Sequence, residues 1–220
     1  YRLRQFLGHN KKTKIKNLFT YQFASKIIEI PEKIMTEAKE FLSDRGFDTL
    51  MPILAIHPGS GSLQKCWPLE NYLSLTELLM QSLDIFVIIL TGPAESLAFK
   101  KKIDDFIRGR KNIIHIAEST LITIASFLRL SDIYLGNDSG VSHLSALLCK
   151  RVLIIFGPTN HNVWRPPYNN VKGLVPKIEC APCSSFHLQR CNNKKCLSTI
   201  YISRVYEEIK NSLKKEDLHE

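Results

Sequence analysis

Five short runs made almost wholly of aliphatic residues constrain this chain more than any other feature. They are Ile53-Leu54-Ala55-Ile56, Ile85-Phe86-Val87-Ile88-Ile89-Leu90, Ile113-Ile114-His115-Ile116, Ile133-Tyr134-Leu135 and Val152-Leu153-Ile154-Ile155-Phe156. None alternates apolar with polar residues, so none reads as a strand with one wet face. Between them lie stretches of helical spacing at about 69–83, 94–107, 121–130 and 141–148. Short strands buried on both faces and alternating with helices imply a parallel sheet covered on both sides, a doubly wound α/β fold.

The flanks are less regular. Pro31 suits the first turn of a helix, and Ile34, Ala38, Phe41 and Leu42 recur at helical spacing until Gly46 supplies a stop. Beyond Trp164 the pattern loosens into Pro166-Pro167-Tyr168, a further strand candidate at 171–175, a cysteine-rich segment, a helix over 200–213 and a frayed polar tail at 214–220. The chain of 220 residues opens on Tyr1, which is expected of a piece of something longer. No apolar run approaches the length of about 20 residues that spans a bilayer, and no signal peptide is read at the start. With no export signal the cytoplasm is the expected compartment, where thiols stay reduced.

The net charge of +9 suits phosphates, nucleic acid or an anionic membrane surface, and charge alone does not choose among them. The densest basic run, Lys11-Lys12-Thr13-Lys14-Ile15-Lys16, reads as a solvated linker or helix face in preference to a nucleic-acid arm.

Three strand ends converge on one edge of such a sheet. After the first comes His57-Pro58-Gly59-Ser60-Gly61-Ser62-Leu63-Gln64-Lys65-Cys66-Trp67-Pro68, whose small residues let backbone N–H groups approach a phosphate and whose Lys65 adds a compact positive charge. The glycine spacing is not that of a Walker loop, and a plain strand-helix connection explains it as well. After the second, Gly92-Pro93-Ala94-Glu95 is expected to place a carboxylate in the first helical turn, either as a helix-dipole residue or as an acceptor for ribose hydroxyls. After the fourth comes Gly136-Asn137-Asp138-Ser139-Gly140-Val141-Ser142-His143. There Asp138 reads as a helix cap or a site residue, Ser139 and Gly140 expose N–H groups to an anion, and His143 lies one turn in.

Four motifs in register, His57-Pro58-Gly59-Ser60 with Lys65-x-Trp67-Pro68, Thr91-Gly92-Pro93-Ala94-Glu95, Gly136-Asn137-Asp138-Ser139-Gly140-x-x-His143-x-x-Ala146 and Phe156-Gly157-Pro158-Thr159, resemble the ADP-heptose:lipopolysaccharide heptosyltransferase family. The resemblance covers about 53–197, the nucleotide-sugar half of such enzymes. It implies one Rossmann-like half of a GT-B glycosyltransferase, transferring heptose from ADP-heptose or a similar nucleotide-sugar to a lipopolysaccharide core or lipid A acceptor. The division it implies is 1–50 as the end of the acceptor domain or linker with one helix, 51–198 as the nucleotide-sugar domain, and 199–220 as a C-terminal helix and tail. It assigns Ser60, Gly61, Ser62 and Lys65 to the pyrophosphate, Glu95 to the ribose, and Asp138, Ser139, Gly140 and His143 to the diphosphate and sugar. Lys65 and Asp138 stabilise the leaving group and donor, no cofactor is required for transfer, and the general base lies in the acceptor domain outside this chain. Donor binding without efficient transfer is therefore expected. The implied location is the cytoplasm, with peripheral contact at the inner face of the cytoplasmic membrane.

Cys180, Cys183, Cys191 and Cys196 fall in one segment. A Cys-x-x-Cys pair with two further thiols suits a structural zinc, against which stand free thiols or two disulfides. Two other functions remain open on the residues: another nucleotide-sugar glycosyltransferase on the same scaffold, and a zinc-stabilised nucleic-acid-binding module. The second is disfavoured because no aromatics interleave the basic residues, and no nucleic-acid partner is expected.

Overall fold

The computed structural model of the chain describes residues 27–184 and 191–214. The basic run at 11–16 and the tail at 215–220 lie outside the described residues. Six strands form one sheet: β1 (Ile53–His57), β2 (Phe86–Thr91), β3 (Ile113–Ala117), β4 (Ile133–Asn137), β5 (Arg151–Ile155) and β6 (Val171–Leu174). Their order is β3-β2-β1-β4-β5-β6 and every pairing is parallel. This is the Rossmann-like, doubly wound arrangement expected from the alternation, with the strand candidate at 171–175 present as the far edge.

The uniformly apolar strands follow from burial on both faces. Successive residues of β1 point into different cores: Leu54 and Ile56 join one, Ile53 and Ala55 the other. The first core is completed by α2 (Leu69–Ser82), by Ile103 of α3 (Leu97–Ile107) and by Val205 and Ile209 of the C-terminal helix, which runs from Ile202 to Lys214. The second is completed by α1 (Glu32–Ser43), α4 (Leu121–Leu130) and α5 (Gly140–Leu148). Phe41 of α1 meets Phe127 of α4 edge to face at 5.6 Å, which seats the N-terminal helix against the sheet layer.

The start of the helix after β2 differs from the sequence reading, and two short helices appear that it did not contain. Helix α3 starts at Leu97 because the Ser96 hydroxyl takes the N-cap and accepts from Phe99 N–H at 3.2 Å. Glu95 therefore stands in the turn before the helix, not in its first turn. A four-residue helix, α6 (His161–Trp164), interrupts the passage from β5 to β6, and a second short helix, α7 (Lys195–Ser198), precedes the C-terminal helix α8 (Ile202–Lys214). Strands β1 and β4 are neighbours whose connections leave in opposite directions, so a crevice opens beyond their carboxyl ends.

Candidate functional site

The crevice is organised by Asn137, the last residue of β4 and fully buried. Its Oδ1 accepts from Trp67 N–H and from the Tyr72 hydroxyl, each at 2.9 Å, and its Nδ2 donates to the carbonyls of Pro58 at 2.8 Å and Gly59 at 3.2 Å. One amide thus ties the strand end of β4 to both ends of the loop that follows β1. Below it, Gly136 leaves room for the Tyr134 ring, since a Cβ there would overlap the phenol oxygen. The Tyr134 hydroxyl meets Ser142 Oγ at 2.9 Å, and Ser142 Oγ donates to the Asn137 carbonyl. Burial pushes the ionisation of both phenols, Tyr72 and Tyr134, upward, so they act only as neutral hydrogen-bonding groups.

The adjacent residue is charged. Asp138, with 6% of its side chain exposed, accepts from the Lys65 ammonium at 3.1 Å, and Lys65 is 28% exposed. The Ser60 hydroxyl donates to the Asp138 carbonyl at 3.1 Å, closing the loop against β4. Asp138 does not cap the helix that follows. Ser139 does, its Oγ accepting from Ser142 N–H at 3.4 Å. Helix α5 accordingly begins at Gly140, and the N–H groups of Gly140 and Val141 have no intrahelical acceptor. His143 lies in this first turn and is exposed. The sequence-assigned Ser60, Lys65, Asp138, Ser139 and Gly140 are therefore brought to one mouth, with His143 in the first turn of α5, Gly61 exposed and Ser62 half-buried on the β1 loop.

Glu95 joins them from β2. Its Oε2 accepts from Gly92 N–H at 2.7 Å, and its other oxygen lies where a Cβ on Gly59 would stand. Only glycine at position 59 lets the carboxylate approach the β1 loop so closely.

Three features of the crevice were not singled out by sequence. Asn137 stood in the motif without a role, and its residue type at a buried strand end was the available signal. His57, at the end of β1, is buried with Nδ1 unpartnered, and burial lowers its pKa to about 4, so the ring is neutral. Thr91 Oγ1 lies 2.8 Å from His115 Nε2, whose Nδ1 lies 2.7 Å from Asp104 Oδ1. Thr91 is buried, so this line of three polar groups fastens the end of β2 to α3 and exposes no nucleophile.

Among the described residues no three His, Cys, Asp or Glu side chains gather to hold a metal, and all six cysteines are free thiols. Cys196 is buried in the core beside Leu197, Cys180 is exposed, and the Cys183 thiol donates to the Cys180 carbonyl at 3.3 Å. Burial raises the Cys183 and Cys196 thiols, and neighbouring thiols of the segment add to it, Cys180 and Cys191 for Cys183, and Cys183, Cys180 and Cys191 for Cys196. Among the described residues no helix is long and apolar enough to cross a membrane.

The family model for glycosyltransferase family 9 (heptosyltransferase) matches residues 19–195. Lipooligosaccharide heptosyltransferase 2 of Campylobacter jejuni is 30% identical over 175 residues, covering 76% of this chain and 52% of that protein. The chain spans about half the length of the curated relatives it matches. Among solved structures, the glycosyl transferase family 9 protein from Veillonella parvula gives a TM-score of 0.72 at 20% identity, over 86% of this chain and 53% of that one. E. coli ADP-heptose lps heptosyltransferase II gives 0.64 at 16% identity, over 86% and 54%. At such identities the structural likeness speaks for the fold, while the family match extends through all four motifs. The chain belongs to glycosyltransferase family 9, the heptosyltransferases.

Proposed function

We propose that this chain is the donor-binding half of a heptosyltransferase, holding ADP-heptose or a similar nucleotide-sugar for transfer to a lipopolysaccharide core or lipid A acceptor. The observation that carries the reading is the Lys65 ammonium, fixed 3.1 Å from Asp138 at the strand switch point and beside the free N–H groups of α5. A diphosphate has a cation and a helix N-terminus to meet there. The Asp138 carboxylate repels phosphate, so its part is to hold the Lys65 ammonium in place and to accept from sugar hydroxyls. Glu95 accepts from the ribose, and Ser60, Gly61, Ser62, Ser139, Gly140 and His143 complete the diphosphate and sugar contacts.

In the reaction an acceptor oxygen bonds to the anomeric carbon as the bond from that carbon to the diphosphate breaks. The electron pair leaves with ADP. Lys65 and the α5 N–H groups stabilise the charge that grows on the diphosphate, work for which no metal ion is needed. The acceptor's proton goes to a base outside the residues assigned here, so the 220-residue chain binds donor and transfers slowly. The domain division at 50 and 198 belongs to this proposal. So does peripheral contact with an anionic membrane surface on the cytoplasmic side. Apolar side chains exposed on the carboxyl side of the sheet, Leu63, Leu97, Leu121 and Val163, support a partner half or acceptor on that face.

Calorimetric titration of ADP, UDP and ADP-heptose tests the reading. ADP-heptose and ADP are expected to bind, with and without EDTA, and Lys65→Ala and Asp138→Ala to weaken both by roughly tenfold or more, the scale of a charge-assisted contact. Unchanged binding in both variants removes the site, and preference for UDP removes the donor assignment.

A further inference from the structure

The two tryptophans of the chain have opposite surroundings. Trp67 is 1% exposed with its Nε1 bonded to the Ile200 carbonyl at 3.0 Å, whereas Trp164 is 53% exposed at the end of α6. An indole left half in water forgoes much of the stabilisation its burial offers, so core packing does not explain its position. Nor is it on a loose loop. Asn160 caps α6 through Oδ1, which accepts from Asn162 N–H at 3.0 Å, and its carbonyl accepts from the N–H groups of Val163 and Trp164, each at 3.0 Å. The next residue, Arg165, donates from Nη1 to the Val171 carbonyl at 3.0 Å and fastens α6 to the β6 edge. The Lys65 ammonium lies 5.9 Å from the Trp164 ring centroid, at the outer reach of a cation–π contact.

The order of groups along the carboxyl edge gives the ring a role. Glu95 follows β2, the Ser60 to Lys65 loop follows β1, Asp138 follows β4, and Trp164 follows β5, and these four strands are consecutive neighbours in the sheet. If Glu95 takes the ribose and Lys65 the diphosphate, the next group of the same ligand reaches Asp138 and Trp164. That group is the transferred sugar. A pyranose presents a face of polarised C–H groups, which packs on the electron-rich face of an indole, while its hydroxyls turn to a carboxylate such as Asp138.

We infer that Trp164 forms one wall of the sugar subsite and determines how strongly the sugar, as distinct from the nucleotide, is held. The inference rests on the nucleotide-sugar reading above and adds a residue to it. Tryptophan emission of the 220-residue chain reports it directly, because Trp67 is shielded. ADP-heptose is expected to change the emission more than ADP does, and Trp164→Ala to abolish that excess. In calorimetry, Trp164→Ala is expected to weaken ADP-heptose by roughly fivefold to tenfold and ADP by less than about twofold, with Trp164→Phe recovering most of the loss.

Equal loss for ADP and ADP-heptose overturns the inference, since the ring then acts through Lys65 alone, and undiminished affinity for ADP-heptose overturns it as well. Each of these leaves the nucleotide-sugar site standing. A wild-type chain that binds neither ligand overturns both.

Discussion

The strand switch point and the cysteine segment each collect residues of chemical interest, and they are built in opposite ways. At the switch point the participants lie far apart in the chain, at 57–68, 92–95 and 137–143, yet their polar groups close on one another through Asn137 and through the Lys65–Asp138 pair. In the cysteine segment four thiols lie within seventeen residues, and among the described residues they form no group that could hold a metal ion. The parallel register holds β1 and β4 side by side, His57 against Gly136, so whatever follows their ends must converge. An irregular segment has no such frame. Closeness in sequence is a weak warrant for a site unless regular structure enforces it.

The largest expected effect comes from removing the residue that closes the switch point. Asn137→Leu leaves Trp67 N–H, the Tyr72 hydroxyl and the carbonyls of Pro58 and Gly59 without their buried partner. Stability to urea is expected to fall by about 3–5 kcal/mol, the range for breaking a buried network of this kind. Cys183→Ser is expected to cost less than about 1 kcal/mol in the same measurement. Comparable losses in the two variants would break the contrast.

A smaller effect comes from His57. Its folded pKa of about 4 lies below the ordinary 6.5, so the unfolded chain takes up the proton first as pH falls. The stability that neutral His57 secures is complete above pH 6.5 and is lost between there and pH 4. About 2 kcal/mol should be gone by pH 5 relative to pH 7.5, read from urea midpoints. His57→Gln should flatten that part of the profile. An unchanged slope in the variant would place the proton uptake on other groups.

The sheet was legible because burial on both faces leaves an unmistakable mark: Ile85 through Leu90 can hardly be anything but a central strand. Asp138, Ser139 and Gly140 were legible as a strand-to-helix junction for the same reason. What escaped the sequence was competition between neighbours. Ser96 and Glu95 both suit a helix start, and only the hydroxyl's geometry decides that Ser96 caps and Glu95 turns toward Gly59. Ser139 and Asp138 repeat the case, and the carboxylate that does not cap turns in each pair to another partner at the crevice, Glu95 to Gly92 N–H and Asp138 to the Lys65 ammonium. The line of Thr91, His115 and Asp104 joins two strands and a helix, and depends on a pairing register that no local pattern reveals. Residue type also failed to tell the buried Trp67 from the exposed Trp164.

The smallest expected effect concerns the thiols themselves and sharpens the contrast without touching stability. Backbone N–H groups of Lys194 and Asn193 bond to the Cys191 sulfur and hold its thiol below the ordinary range. Burial pushes Cys66 up to about 11 and raises Cys149 further, while burial together with neighbouring thiols raises Cys183 and Cys196. Since the thiolate is the nucleophile, iodoacetamide at pH 8 should modify Cys191 before Cys183 or Cys66, and Cys149 only once the chain unfolds. Peptide mass spectrometry over a time course gives the order. Joint protection of Cys183 and Cys191, released by a chelator, would mean that the segment closes on a metal after all and is organised as tightly as the switch point. Independent modification, Cys191 first, means that the four thiols share no ion, in contrast to the groups that close on one another at the carboxyl ends of the strands.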